Sequence, residues 1–495
     1  MAGFFLHAED VRLAGSVLGH SKSFSALFGQ LLKNLGGIFG FDAGVAIPGE
    51  LAAYEPELWE GLSVLQKLRH MGHSKWWGLQ DMARYPDEPL LFFYTVLNTD
   101  TTGTGNDGYG FDFYSKKKAL WRAIGESIER RALSTFVPPE GAYLDASYHE
   151  LQATGQNTLD IFSLAGIAPE ARPQLQFGGR PLSFDADTRF RWVRGRSLTQ
   201  ERSLLIPLQL VSFKHNRDSQ ELLLRPLVST GAAAHRTLSR AVLKGALELI
   251  ERDAFMITWL NKLAPKRIAP ETILAPNVQK ALQYYKRHNL EVTLLHLPSD
   301  LPAHVILCVI RDRTGVGPAV VMGTGVGFDI ETVAADALRE ALGIRLIVRS
   351  GLDSYRAQGK SLASLKRVSL GHVERTLYWC DIKKVDDVNF LLEGSVASAD
   401  EFPPHTDFDT PEEQLKFLTE RFKEKNIELA YVELTDREIK KILNFHAAIV
   451  VAPELQPLHL DERVAFTWGQ RLRSVPLQCG FEPAEQLNKE PHPFP

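Results

Sequence analysis

The sequence predicts an α/β fold, strictly of the α+β type, in which a unit of strand, small-residue turn and acidic helix recurs along the chain. The clearest copy is the stretch from Ser239 to Leu260, whose apolar residues return at helical spacing. Glu248, Glu251 and Arg252 occupy positions i, i+3 and i+4, which places them on one stripe of that helix. Two carboxylates this close repel each other unless a cation lies between them, and Arg252 or a bound metal ion would supply that charge.

A second copy upstream turns the pattern into a repeat. Residues 114–136 carry Glu126, Glu129 and Arg130 at the same spacing. A third, weaker copy at 323–345 keeps the glycine run and Glu340 but lacks the second glutamate. An internal repeat is a signal at the level of the fold. Here it predicts acidic helices that follow strands through turns of small residues.

The composition is that of an ordinary globular chain and excludes several classes of protein. The 495 residues include 56 Lys and Arg against 60 Asp and Glu, a formal net charge of −4, so there is no electrostatic case for nucleic acid as the main partner. The three cysteines lie far apart without a CxxC motif, which favours a reducing, cytoplasmic setting. No apolar stretch suits a membrane span, and the first residues are not typical of a secretory signal.

Taken in order, the chain is expected to divide into an N-terminal helical segment, residues 1–75, and one large domain, residues 76–495, that ends in a Pro-rich tail at 491–495. A linker is expected at 394–411. Apolar or alternating runs predict strands at 90–97, 190–193, 204–211, 222–228, 291–297, 305–311, 319–323, 428–433 and 447–452. Further helices are expected at 51–68, 144–164 and 413–425.

The glycine run before the first acidic helix invites two nucleotide-binding interpretations, and the sequence argues against both. Gly103, Gly105 and Gly108 spell GxGxxG after an apolar strand. In a Rossmann unit the third glycine opens the helix and an acid ends the next strand about 20 residues on. Here further residues precede the helix and the acids lie within it, so no Rossmann motif is predicted. The GxxxxGK[ST] pattern of a P-loop does not occur.

The repeated ExxER motif has two interpretations, one purely structural and one functional. One copy is typical of a solvated helix face with i,i+4 Glu–Arg pairs, each worth only ~0.3–0.5 kcal/mol. Two copies in the same register, each after a run of small residues, favour a shared function. Glutamates are the hard oxygen ligands that Mg²⁺ prefers, and arginines bind phosphate. Two acidic helices that converge on one cavity would therefore suit Mg²⁺ with a nucleotide.

At this point the sequence resembles the YcaO family, and within it the azoline-forming cyclodehydratases of ribosomal peptide biosynthesis. The resemblance runs from about residue 76 to the end. The motifs that carry it are GESIER (125–130), WVRGRSL (192–198) with IPLQLV (206–211), STGAAA (229–234) with ALELIERDAF (246–255), ERTLYWCDIKKVDDVNFLLEG (374–394), VAPELQPLHLDE (451–462) and PHPFP (491–495).

The resemblance implies a YcaO-type ATP-binding fold and a reaction in which ATP phosphorylates a backbone amide oxygen of a precursor peptide. A Cys, Ser or Thr side chain of that peptide then ends in a thiazoline or oxazoline ring. The implied Mg²⁺ ligands are Glu126, Glu129, Glu248, Glu251 and Glu340. The implied nucleotide-binding residues are Glu126, Arg130, Arg236, Glu248 and Arg252.

The Pro-rich end looks like the family's C-terminal tail, and its catalytic residues would be Pro491, Pro493 and Pro495. Alternating prolines cannot form a helix, so the tail is expected to be extended and stiff. The alternative is a mobile tail without a catalytic role. The resemblance also implies a ribosomal precursor peptide as substrate and a separate peptide-binding protein related to ubiquitin-activating enzymes. A flavin dehydrogenase and a homodimer are further partners that it leaves open.

Three positions depart from the family pattern. Many members have Gly-Asn where this chain has His235-Arg236, often a glutamate at Arg240, and usually a glutamine at Gly343. Two alternatives therefore stay open beside azoline formation. One is a YcaO enzyme that makes a thioamide or an amidine. The other is a non-catalytic YcaO-like scaffold for a peptide or a partner enzyme.

Overall fold

A computed structural model of the chain describes residues 56–70, 76–81, 85–99, 106–367, 370, 372–402 and 408–494. Most of the predicted N-terminal segment, residues 1–55 and 71–75, lies outside them, so the division at residue 75 stays a prediction. Three glycine-run residues, 103–105, lie outside them as well.

The described chain alternates short strands with helices of very different lengths. Its strands are β1 (Trp76–Asp81), β2 (Phe92–Thr99), β3 (Gly108–Asp112), β4 (Tyr143–Ser147), β5 (Gln176–Phe177), β6 (Arg180–Pro181), β7 (Arg189–Ser197), β8 (Ser203–Pro207), β9 (Ala232–His235), β10 (Lys266–Ile268), β11 (Glu291–His296), β12 (His304–Arg311), β13 (Val320–Gly327), β14 (Val396–Ala397), β15 (Ala430–Glu433) and β16 (His446–Val451). Its α-helices are α1 (Trp59–His70), α2 (Lys116–Thr135), α3 (Tyr148–Ala153), α4 (Phe213–Asp218), α5 (Leu238–Leu260), α6 (Pro276–Arg287), α7 (Ile330–Ala357), α8 (His372–Tyr378), α9 (Pro411–Glu424), α10 (Arg437–Leu443) and α11 (Arg471–Gln478). The mixture of helices and sheets confirms the predicted fold class.

The chain forms two compact units, and neither is one continuous segment. The first unit contains the described parts of Met1–Tyr85, together with Leu90–Arg131 and Arg437–Asn444. The second contains Pro86–Pro89, Ala132–Asp436 and Phe445–Pro495. In the first unit, β1, β2 and β3 form an antiparallel sheet, and α10 packs against α1.

The second unit holds two larger sheets. One has the order β13-β12-β11-β10-β14, antiparallel except for the parallel pair β10–β14. The other has the order β4-β7-β15-β16-β9, with β8 paired to β7. Helix α5 contacts β9 and β16 of the second sheet and also β12 and β13 of the first. It is therefore the element that both sheets share.

Helix α5 is amphipathic only in its first half. Leu243, Ala246 and Ile250, the predicted apolar face, are 5%, 0% and 0% exposed. From Asp253 to Leu260 every residue is buried, because the helix there lies between the two sheets. Most of these residues are apolar, and the buried Asp253 is paired with Arg471 at 2.7 Å. A helix segment that is buried on every side is typical of a protein core.

Part of each described small-residue run belongs to a strand, where the sequence predicts only a turn: residues 108–112 form β3, 232–234 lie in β9 and 323–327 lie in β13. The expected turn is present before β9, at Thr230 and Gly231, where Gly231 has a φ of 90°. Gly323 and Gly325 belong to β13, and a methyl group on either would overlap the backbone of α7, at Ala341 and Val333 respectively. In the first unit, a methyl group on Gly110 in β3 would overlap the backbone of α2 in the same way. The small residues therefore allow strand and helix backbones to touch, which larger side chains would prevent.

Three predicted elements were wrong. Residues 222–228 form no strand: the Leu223 N–H bonds the Pro181 carbonyl at the end of β6, but the next N–H, that of Leu224, bonds the side-chain Oε1 of Gln209, so no ladder continues. The stretch 144–164, expected to be helical, is strand β4 followed by the six-residue helix α3. The expected linker contains β14, which pairs in parallel with β10.

Candidate functional site

In the second unit, Arg252 lies among the glutamates of α5. Its Nη1 is 3.0 Å from Glu251 Oε1, and its Nη2 is 3.6 Å from Glu248 Oε1. Arg252 Nη1 also donates to the Thr324 hydroxyl of β13 at 3.3 Å. Glu248 in turn accepts the Gly231 N–H at 3.0 Å, next to β9. The ExxER motif is thus fixed to both sheets.

A third carboxyl group, Glu340 of α7, lies within electrostatic range of this motif. Burial and the nearby Glu251 carboxylate raise the pKa of Glu340 to about 8. Burial also raises the pKa of Glu251, against the opposing effects of Arg252 and the Thr324 hydroxyl. Carboxyl groups that resist ionisation together attract a cation, because a cation relieves both the burial and the repulsion.

The described part of the tail is buried and bonded along its length. The Trp259 Nε1–H donates to the Glu490 carbonyl at 3.0 Å, and the Trp379 Nε1–H donates to the Pro491 carbonyl at 2.9 Å. The His492 Nε2–H donates to the His459 carbonyl at 2.6 Å. The tail has no regular secondary structure, yet these bonds hold it in one place.

The tail leads to Arg252. Phe494 is 2% exposed, and its ring lies 4.5 Å from the ring of Phe255 on α5. The guanidinium carbon of Arg252 lies 5.1 Å from the centre of the Phe494 ring, within the range of a cation–π contact. Pro491 and Pro493 are buried with it, whereas Pro495 lies outside the described residues. The catalytic role of these three prolines stays a prediction.

The first unit contains the matching ExxER motif. Arg130 Nη2 is 2.6 Å from Glu126 Oε1, and Glu126 Oε2 accepts the Tyr109 N–H at 2.7 Å. The guanidinium of Arg130 stacks 5.3 Å from the centre of the Tyr109 ring. Glu129 is half-buried and close enough to raise the pKa of Arg130 electrostatically. Burial raises the pKa of Glu126.

Beside this motif lie two buried side-chain amide groups. Asn98 and Asn106 are 0% and 1% exposed, and neither atom of either amide has a hydrogen-bond partner within the described part of the chain. The nearby Asp107 carboxylate accepts the Asn98 backbone N–H at 2.9 Å, and burial raises its pKa. A buried polar group without a partner costs about 1–3 kcal/mol, so a polar ligand would fit here.

The remaining predicted residue, Arg236, lies between β9 and α5 and is exposed, as is Arg240 in the first turn of α5. Gly343 is buried within α7. Among the described residues, no three His, Cys, Asp or Glu side chains are arranged to hold a metal ion by themselves. Mg²⁺ is commonly held by one or two carboxylates together with phosphates and waters, so the oxygen donors of Glu248, Glu251 and Glu340 fit it.

The sequence of the chain matches the profile of a known family over residues 111–456. That family is described as YcaO cyclodehydratase, ATP- and Mg²⁺-binding. The chain belongs to the YcaO family. The predicted cofactors, ATP and Mg²⁺, are those that characterise this family.

Relatives and solved structures agree with the membership. An uncharacterized protein in the tfuA 3' region of Rhizobium leguminosarum bv. trifolii is 26% identical over 257 residues, which is 49% of this chain and 55% of that protein. A heterocyclase solved with substrate and cofactor has a TM-score of 0.69 at 20% identity, covering 88% of this YcaO chain and 57% of that one. The YcaO from Methanopyrus kandleri bound with AMPPCP and Mg²⁺ has a TM-score of 0.57 at 17% identity, covering 83% and 95%. The chain thus spans little more than half the length of the first two proteins.

Sequence reasoning missed the residues that hold the tail. His492 and Phe494 alternate with the three prolines of the tail. Trp379 lies in the motif at 374–394, which supports the family resemblance but does not by itself indicate a contact with the tail. The alternation itself was a signal: in a stiff Pro-x-Pro segment, the intervening side chains make the contacts.

None of the helices in the described ranges is both long enough and apolar enough for a membrane span.

Proposed function

We propose that this YcaO protein is an ATP- and Mg²⁺-dependent peptide cyclodehydratase that forms thiazoline or oxazoline rings in a ribosomal precursor peptide. The observation that supports it best is the contact between Phe494 and Arg252. It brings the Pro-rich tail against the arginine that Glu248 and Glu251 flank. A mobile tail would make no such contact.

The reaction begins when the sulfur or oxygen of a substrate Cys, Ser or Thr attacks the carbonyl carbon of the preceding amide and closes a ring. The former carbonyl oxygen takes the γ-phosphoryl group of ATP, and ADP leaves. The carbon–oxygen bond then breaks, phosphate leaves, and the amide nitrogen loses its proton to form the C=N bond. The oxygen of the water that the peptide loses thus departs in phosphate.

The protein's share of this chemistry is positioning and charge. Bound Mg²⁺ would neutralise the phosphates, and the second unit would hold it by Glu248, Glu251 and Glu340. The first unit has candidate ligands of its own, Glu126 and Glu129. Arg252 and Arg130 have the geometry to bind phosphate oxygens. Because the pKa of Glu340 is raised to about 8, its carboxyl holds a proton at neutral pH until a cation arrives.

The tail positions Arg252 and excludes water. Phe494 covers one face of the guanidinium, and an electrostatic interaction is stronger where water is excluded. The described tail is anchored by Trp259 and Trp379, so Phe494 is held without help from substrate. We propose that Pro491, Pro493 and Pro495 act in the reaction by positioning the peptide amide.

The experiment has two steps. Calorimetry with a non-hydrolysable ATP analogue should show binding that depends on Mg²⁺, which a non-catalytic scaffold would not show. Incubation with ATP, Mg²⁺ and a Cys/Ser/Thr-rich precursor encoded beside the gene should release phosphate and reduce the peptide mass by one water per ring. A mass change of another kind, as in thioamide formation, would contradict azoline formation.

The partners proposed for this reaction are the precursor peptide and a separate peptide-binding protein related to ubiquitin-activating enzymes. If cyclisation proceeds only when such a protein is added, the substrate is delivered from outside this chain. A flavin dehydrogenase would act later, on the finished azoline. The peptide-binding protein and the flavin dehydrogenase are each tested by adding them to the same cyclisation assay.

A further inference from the structure

Two arginines of the second unit, the buried Arg172 and the half-buried Arg225, have no acidic partner among the described residues. Arg172, 8% exposed, donates from Nη1 to the carbonyls of Leu182 at 3.3 Å and Leu224 at 2.7 Å. Arg225 donates from Nη1 to the Ala165 carbonyl at 2.6 Å. Among the residues that the structure describes, neither forms an ion pair with a carboxylate. Most buried guanidinium groups are paired, so this pair of arginines is unusual.

The positive charges of Arg172 and Arg225 also repel each other. Burial lowers the pKa of each arginine to about 10, and the charge of Arg172 contributes to the lowered pKa of Arg225. Carbonyl oxygens satisfy individual N–H groups but carry no net charge, so the positive charge is left uncompensated. An anion near Arg225 would relieve this cost.

Arg225 lines a cavity of about 30 Å³. Among the residues that the structure describes, Arg252 is the only other charged residue in its lining, and most of the rest are aliphatic, such as Leu249 and Val450. Thr230 adds a hydroxyl group and Gln456 an amide group. About 10–15 Å³ suffices for one water molecule, so this space is large enough for a small ion. The cavity thus combines two guanidinium groups with a described lining that holds no carboxylate.

We propose that this cavity binds a small oxyanion between Arg225 and Arg252, and that its occupant is the phosphate released from ATP. The assignment of the source rests on the proposed function, because Arg252 also contacts Glu248 and Glu251. Phosphate leaving the amide carbon beside Arg252 would pass to Arg225 without entering bulk water. Its transfer away from the azoline disfavours the reverse reaction.

Inorganic phosphate, titrated into the full-length protein without nucleotide or peptide and followed by ³¹P NMR and calorimetry, tests the site. Wild-type protein should bind phosphate saturably. Arg225→Gln should weaken binding about 10-fold or more, since a hydrogen bond to a charged group contributes about 1.5–3 kcal/mol. Arg225→Lys keeps the charge and should restore part of the affinity. Arg194→Gln, an exposed arginine of β7, should bind as wild type does.

Unchanged phosphate affinity in a folded Arg225→Gln protein would overturn the site, as would the absence of saturable binding in wild type. Acetate, titrated at matched ionic strength, tests whether the cavity prefers a phosphate ion or a carboxylate group of a peptide. Tighter binding of acetate than of phosphate would overturn the assignment to released phosphate in favour of a peptide carboxylate. Because no turnover is measured, these outcomes are distinct from a failure of the cyclodehydratase assay.

Discussion

Among single residues, Arg252 combines several kinds of contact. It touches two glutamates, a threonine of β13 and the ring of Phe494. A guanidinium group can do this because its donors lie in one plane while its two faces remain available for stacking. Its orientation is therefore set by α5, by a sheet and by the tail together.

Glu251→Gln tests whether the acidic cluster needs the negative charge of Glu251. The amide keeps the shape of the side chain but loses the charge that Mg²⁺ and Arg252 require. Peptide-dependent ATP consumption should fall about 100-fold or more, as when a preorganised electrostatic contact is removed. The unfolding temperature should change little, because the loss of the charged contact with Arg252 is offset by relief of the repulsion between Glu251 and Glu340, and Arg252 keeps Glu248 at 3.6 Å. Glu424→Gln on the exposed side of α9 is the control, and full turnover by Glu251→Gln would refute the assignment.

Glu454 predicts a pH dependence of stability that is independent of the site. Burial raises its pKa from an ordinary 4.5 to about 7. Between those values the folded protein holds a proton that the unfolded chain releases, so the free energy of unfolding falls as the pH rises from about 4.5 to 7. Glu454→Gln cannot titrate and should lose less stability over that window. Urea unfolding at pH 5 and pH 8 measures this loss of stability, with a substitution of the exposed Glu420, Glu420→Gln, as control. Equal losses in the parent protein, Glu454→Gln and Glu420→Gln would contradict the prediction.

Residue identity alone revealed the glutamates and arginines, because charge at helical spacing is visible in sequence. It did not reveal Thr324, which reaches Arg252 only because β13 crosses α5. It did not reveal Asn98 and Asn106 either, since an amide without a partner is recognised only when its surroundings are known. Contacts between distant segments depend on tertiary packing, and a single sequence does not contain that information explicitly.

Between elements, the close approach of β13 to α7 gives a matched pair of substitutions. Gly323→Ala places a methyl group against the backbone of Ala341, which cannot move without shifting the helix. It should destabilise the protein by about 1–3 kcal/mol, as overpacking does. Gly351→Ala lies on the same helix with nothing within 4 Å and should stabilise by up to about 1 kcal/mol. Equal shifts in urea unfolding for the two variants would contradict this account.

The tail is the second element with a sharp test. Deleting residues 491–495 should strongly reduce azoline formation, because Phe494 and the three prolines are lost together. ATP binding should weaken by roughly 5- to 30-fold, since a cation–π contact contributes about 1–2 kcal/mol. Mass spectrometry of the peptide and calorimetry with an ATP analogue measure the two effects. Cyclisation at the parent rate would show that the tail has no catalytic role.

The glycine-containing strands β3 and β13 show why the sequence predicts turns in their place. Glycine is common in turns because it tolerates positive φ, and that rule suggested turns before each acidic helix. In Gly323 and Gly325 the glycine serves a different purpose, the contact of two backbones. Both uses give the same letters in a sequence, and only the neighbouring element distinguishes them.

For the whole molecule, a buried ion network secures the four residues Pro86–Pro89 within the second unit. Glu88 accepts from Arg345 at 2.7 and 2.9 Å and from Arg349 at 3.2 Å, and Arg345 also binds Asp312 at 2.7 Å. Glu88→Ala leaves two buried guanidinium groups short of a partner and should cost about 3–5 kcal/mol.

Urea unfolding measures this cost, and Asp353→Ala is the matched control. Asp353 contacts the same Arg349 at 3.6 Å but is 44% exposed, so its removal should cost about 0–1 kcal/mol. Similar losses in the two variants would mean that burial of the network is unimportant. Nothing in the sequence indicated the network, because Glu88 and Arg345 are separated by 257 positions.

The interleaving of the two units constrains the order in which the protein can fold during synthesis. Helix α10, which packs against α1, is translated about 300 residues after Arg131. At roughly 5–20 residues per second, a ribosome needs about 15–60 seconds to cover that distance. For that time the nascent first unit presents the surface of α1 that α10 later covers. Chaperones that hold apolar surface on emerging chains would have their longest opportunity there.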